Sequence, residues 1–226
     1  MTEELPIPYR IAVDCRDRIR TAWIHAEPVE VREATPLLDR EMQALGAELR
    51  ERFADTPPGK VPGVGEARRL YRSFGIDPTR TRPSSEALLR RAIRGKPLPR
   101  VSNAVDLANL CSLRTLLPLG LYDAALIEGE VELREGVAGE SYPGIRKDDV
   151  HLAGRPVLAD RAGPFGNPTS DSLRTSVTPG TRALWMVIFA TSGYPAAGLR
   201  GHVRTAVRLM ERHAGPRTRA SGGLLP

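Results

Sequence analysis

Asn103, Asp106 and Asn109 recur at three-residue steps within a stretch that is otherwise apolar: Val105, Leu107, Ala108, Leu110, Cys111 and Leu113. On a helix that spacing sets the three polar groups along one side, drifting by about 60° per step. Carboxamides and a carboxylate can hold a polar substrate or orient a water. Buried without partners, each would cost about 1–3 kcal/mol. Two readings follow from the spacing: the groups tie the helix to a neighbouring loop, or they line a pocket. Ser170, Asp171 and Ser172 form a second polar run, read as a turn or as additional contacts to a substrate.

Other chemistries find no support. There is no Ser-His-Asp or Cys-His set, no metal-ligand spacing and no glycine-rich loop of the Walker type. His25, His151, His202 and His213 are scattered and read as surface or packing residues. Cys15 and Cys111 sit in unrelated contexts, which suits two buried thiols in a cytoplasmic protein. Neither a metal nor a cofactor is expected. No basic start followed by an apolar run opens the chain. The longest strongly apolar run, Leu184–Ala190, has seven residues, against about 20 for a membrane span.

The elements that must position these groups are legible in outline. Residues 10–13 and 21–31 read as strands. Leu37, Leu38, Leu45, Leu49 and Phe53 give residues 33–53 helical spacing, and a further helix is expected over 65–74. Ser84 is the expected N-cap of a helix ending at Gly95, and Ser102 caps the next, which runs to Pro118. Short apolar runs follow at 124–127, 131–133, 155–159 and 183–190, then a helix over 195–213. Helices packed on a strand-rich second half imply an α+β fold, one domain over 1–213 with a mixed or antiparallel sheet. Residues 214–226, rich in Gly, Arg, Pro and Ser, read as a flexible tail.

The net charge of +6 is unevenly distributed. Seven Lys/Arg between Arg80 and Arg100 face one acid, Glu86, and six arginines between Arg200 and Arg219 face Glu211. Two basic patches on a slightly acidic body suit a polyanionic partner, the alternative being solvated faces of an arginine-rich chain. Arg200, Arg204, Arg208 and Arg212 form one stripe at four-residue steps, a spacing at which like charges repel.

The segment Pro83-Ser84-Ser85-Glu86 with Arg90 and Arg91, then Val105-Asp106-Leu107-Ala108-Asn109, Pro118-Leu119-Gly120-Leu121-Tyr122-Asp123, Gly139-Glu140 and Gly163–Gly166 ahead of Thr181 resembles the tRNA-editing B3/B4 domain of the bacterial phenylalanyl-tRNA synthetase beta chain. The match is tight over residues 83–123 and spans about 30–190 in all. The resemblance implies a free-standing domain that hydrolyses mischarged aminoacyl-tRNA, with aminoacylated tRNA as partner. Asn109 and Gly163 fall at its catalytic positions, and Asn103, Asp106, Gly120, Gly166 and Val187 fall in its substrate pocket. Arg90, Arg91, Arg94, Arg204 and Arg208 would contact tRNA. Gly120 stands where the synthetases have a histidine, and Val187 where a glutamate recognises the tyrosine hydroxyl, so tyrosine is not the expected amino acid. No ATP-binding or class II motif is present, and no charging of tRNA is expected. The second reading is a non-catalytic module that binds tRNA or an amino acid; a hydrolase of small amino-acid esters is a third.

Overall fold

Alternation along one strand organises the molecule. In Leu184–Thr191 (β9), Leu184, Met186, Ile188 and Ala190 enter one apolar cluster while Trp185, Val187 and Phe189 enter another. Fully buried on both faces, the strand must lie between two layers. The computed structural model, which describes residues 6–145 and 148–225, shows those layers.

The central sheet has the order β10-β2-β9-β3, where β2 is Ile19–Glu27, β3 is Leu119–Asp123 and β10 is Arg219–Leu225; all its pairings are antiparallel. On one face lie α4 (Asn103–Thr115) and α5 (Ala196–His213). Against α4 pack α1 (Pro36–Arg52) and α3 (Ser84–Ile93), through Leu49, Leu89 and Leu113. On the other face a second sheet, β1-β4-β7-β8, buries Tyr9, Val131, Leu133, Leu158 and Phe165 together with Leu70 of α2 (Val64–Ser73). Its strands are Tyr9–Ile11, Val131–Glu135, Pro156–Asp160 and Gly163–Gly166, with β1 parallel to β4 and the rest antiparallel. A two-stranded ribbon, β5 (Ser141–Pro143) with β6 (Asp149–His151), completes the fold. The architecture is α+β with mixed and antiparallel sheets. Among the described residues no helix is long and apolar enough to cross a membrane.

Several expectations change in detail. Pro83, not Ser84, is the N-cap of α3. The run 124–127 is a single helical turn over Ala124–Leu126, capped by the Asp123 carboxylate accepting from Ala125 N, and not a strand. The expected tail at 214–226 contains β10, an edge strand paired with β2 from Arg219 to Leu225. Its glycines have a packing reason. A Cβ on Gly222 would come within 2.7 Å of the Trp23 carbonyl oxygen and 2.8 Å of Val203, so only glycine lets the strand approach both β2 and α5.

Candidate functional site

Asn103 and Asn109, two turns apart on α4, have opposite fates. Asn103 is buried and fully used. Its Oδ1 accepts from Arg32 N, and its Nδ2 donates to the carbonyls of Glu30 and His213, all at 2.9 Å. It ties α4 to the segment after β2 and to the end of α5. Asp106 is also buried. It accepts from Val101 N at 3.0 Å and pairs with Arg100 at 2.9 Å, while burial pushes its carboxyl up against those two contacts. For both, the loop-tying role holds.

Asn109 is half-buried, and no protein group hydrogen-bonds its carboxamide among the described residues. It faces a cavity of about 340 Å³, within the range of small-molecule sites. The walls are apolar: Val105 and Ala108 from α4, Leu88 from α3, Leu119 and Leu121 from β3, then Val101, Ile145 and Val177. The polar groups are Asn109, Asp171, Ser84, Ser112 and Ser176. Ser112 is committed to the Leu117 carbonyl.

Asp171 reaches the cavity because β3 is an edge strand. The segment 171–175 runs along its open side, with Leu121 N donating to Asp171 Oδ2 at 3.4 Å and Asp123 N to the Thr175 carbonyl at 3.0 Å. Tyr122 donates its hydroxyl to Asp171 Oδ1 at 2.9 Å. Burial first, then the Asp171 charge, hold that phenol well above its usual range, so it remains a donor. Upstream, the Asn167 side chain is buried, accepting from Thr169 N and Ser170 N and donating to the Tyr142 hydroxyl. Tyr142 donates to the Ser170 carbonyl and Tyr71 to that of Pro168. A segment that reads as a polar turn is therefore fixed on three sides.

Gly120, Gly166 and Val187 lie elsewhere. Gly120 pairs with Val187 across β3 and β9, and both point between the two sheets, away from α4. The Tyr122 ring fills the space beside them. A Cβ on Gly120 or on Gly166 would run into its hydroxyl. Period-two alternation sends Leu119 and Leu121 to the cavity and Gly120 and Tyr122 to the opposite face. Gly163 sits in β8 at φ 115°, its carbonyl accepting from Arg174, and does not line the Asn109 cavity. Of the residues expected to form the pocket, only Asn109 lines it.

The arginines also separate. Arg90 is held by Glu86, whose fully buried carboxylate accepts two bonds from Arg68 and one from Arg90. Arg91 donates twice to the Pro97 carbonyl, tightening the turn after α3. Arg94 is exposed at the C-cap. Arg204 and Arg208 lie on the exposed face of α5, which covers β10 and β2; the cavity lies at the β3 edge across the sheet. The described residues contain no cluster that could hold a metal ion.

This three-layer α/β/β arrangement, with an apolar cavity between α4 and an edge strand, defines a fold class that comparison with known proteins places. The family model described as the B3/4 domain matches residues 66–209. The chain belongs to the B3/4 domain family. No curated protein matches the sequence. A similar solved structure is an N-terminal fragment of the phenylalanyl-tRNA synthetase beta-subunit from Pyrococcus horikoshii, at 12% identity and a TM-score of 0.51. All of this chain is covered, against 56% of that one, so the chain spans little more than half its length. At that identity the likeness shows the fold.

Proposed function

We propose that the chain is a hydrolase that removes the amino acid from a mischarged aminoacyl-tRNA supplied in trans, with the Asn109 cavity as the site of the ester. One observation carries the reading: a half-buried carboxamide, with no hydrogen bond from the described residues, faces an apolar cavity from a helix whose buried polar side chains Asn103, Asp106 and Ser112 are all spent. Membership of a family whose fold is shared with a fragment of a tRNA synthetase subunit supports a tRNA-linked substrate. In the reaction, water adds to the ester carbonyl, the bond to the ribose oxygen breaks, and a proton passes from the water to that oxygen. Free amino acid and a free terminal hydroxyl are released. Asn109 can orient the carbonyl or the water. Asp171 is the carboxylate on the cavity wall and the group there able to accept a proton.

The aliphatic wall favours an amino acid with an apolar side chain over tyrosine. Gly120 and Val187 face the inter-sheet core and not this cavity, so the exclusion of tyrosine rests on the cavity lining. Release of amino acid from a panel of charged tRNAs, by the native chain and by Asn109→Ala, tests the reading. Rapid release from one or two species, lost in the variant, is the expected result. No release from any species, with tRNA still bound, would favour the second reading, a non-catalytic module using the same cavity.

A further inference from the structure

Beside the Asn109 cavity, and separate from it, runs a larger cleft of about 700 Å³. Asp39, Met42, Gln43, Gly46, Ala47 and Arg50 line it at alternating steps of three and one, so it follows one face of α1. From Asp39 to Arg50 that face extends about 16 Å. The opposite wall is the turn after α3 and the loop into α4, Gly95 to Val101, with Asp106 at the end. Val101 lines both cavities, and Asp106 lies one helical turn before Asn109. The cleft therefore ends beside the proposed ester site, with Val101 as the wall the two share.

Its charge is polarised along its length. Near Val101 the acids Asp39 and Asp106 converge on Arg100. At the far end stand Arg50 and Lys96, and Arg50 reaches over Gly95. No carboxylate pairs with Arg50 or Lys96 among the described residues. The floor between is apolar, through Met42, Ala47, Ala92 and Leu98. Gly46 adds a second observation. A glycine inside a helix costs stability relative to alanine, yet a Cβ here would meet nothing within 4 Å. No neighbour among the described residues requires it. Its effect is to leave the middle of the cleft open.

We infer that this cleft takes the single-stranded 3′ end of the tRNA whose ester enters the Asn109 cavity. The assignment rests on that proposed function and extends it to the path of the RNA. An aminoacylated RNA end carries its cationic ammonium and neutral ribose at the tip and its phosphates behind. The cleft matches that order: Glu33, Asp39 and Asp106 outnumber Arg100 at the end beside the ester site, Arg50 and Lys96 stand away from it, and the floor is apolar for base faces. By this reading the α5 stripe, at the opposite edge of the sheet, meets the body of the tRNA rather than its end.

The test is binding of fluorescently labelled tRNA, intact or lacking its single-stranded 3′ end, across a salt series. Native chain, Arg50→Gln/Lys96→Gln and Gly46→Phe are compared. Loss of two phosphate contacts should weaken binding of the intact tRNA and flatten the slope of log affinity against log salt by about 1.4. Gly46→Phe should weaken binding with the slope little changed. Both differences should vanish on the truncated tRNA. Native-like binding of intact tRNA by both variants, or equal losses on both tRNAs, would overturn the assignment alone. No tRNA binding by the native chain would overturn the proposed function, and this assignment with it.

Discussion

Replacing Asn103 or Asn109 by alanine removes the same atoms from the same helix, and the structure predicts opposite outcomes. At Asn103 three hydrogen bonds of 2.9 Å are lost inside the protein, leaving Arg32 N and the carbonyls of Glu30 and His213 without that partner. At about 1 kcal/mol net per bond the loss is about 3 kcal/mol, and more where a backbone group stays buried and unsatisfied. For a chain of this length 1 kcal/mol moves Tm by about 2–4 °C, so Asn103→Ala should melt about 6–12 °C below the native chain. At Asn109 no protein hydrogen bond is lost and the change enlarges an existing cavity, so the cost should stay under about 1 kcal/mol. Urea denaturation followed by circular dichroism, run beside the deacylation assay, separates the two. Asn103→Ala should be destabilised, with whatever folded fraction remains active; Asn109→Ala should be stable and inactive. A stable Asn103→Ala would refute the clamp. An Asn109→Ala destabilised as much as Asn103→Ala would refute the claim that this carboxamide is held for a ligand.

Glu86 is fully buried. Burial would raise its carboxyl, but the guanidiniums of Arg68 and Arg90 outweigh that and hold it below the usual range. Glu86→Gln should cost about 3–5 kcal/mol, because it strands Arg68 and Arg90; a Tm within 2–3 °C of native, on the order of 1 kcal/mol, would contradict this. Burial keeps the His213 imidazole below its usual pKa although Glu41 lies 3.4 Å away, and His25 and His202 shift the same way. A lowered folded pKa means the unfolded chain takes up protons first, so stability is intact above about pH 6.5 and is lost as the pH falls below it. Melting curves from about pH 7.5 to 5.5 should show that fall, reduced in His213→Gln; a flat or rising Tm would refute it. Gly166→Ala should fail to fold natively, since the added methyl meets the Tyr122 hydroxyl, and Tyr122→Phe in the same chain should recover part of the loss. Soluble, fully native Gly166→Ala would contradict that packing.

The helices were legible because apolar spacing and caps are local: Thr35 and Ser102 each accept from the amide three residues on, as their types predict. The strands β3 and β10 were not. Leu119–Asp123 gives no strand signal because Gly120 interrupts its apolar run, and Arg219–Leu225 reads as a tail because of Gly222 and Gly223. In both cases the glycine reports a close approach that only the folded chain sets: Gly120 clears the Tyr122 ring, which also lies against the distant Gly166, and Gly222 clears Trp23 and Val203. The site divides on the same ground. Helical spacing put Asn103, Asp106 and Asn109 on one side of α4, but what they touch is set by Arg32, His213, Arg100 and β3, none of which the spacing contains. Once Leu119–Asp123 is a strand, alternation alone decides the rest: Leu121 must share a face with Asn109, and Gly120 must turn from it toward Val187. Residues of the sheet side whose substitution alters amino-acid preference should therefore be Leu119 and Leu121 of β3 and those of the segment 171–177 that borders its open edge, not Gly120 or Val187. Leu121→Ala and Val177→Ala are expected to change which charged tRNA is emptied, with Val187→Ala changing stability alone. A shift in preference from Val187→Ala, at unchanged preference in the other two, would show that the amino acid lies between the sheets and not against α4.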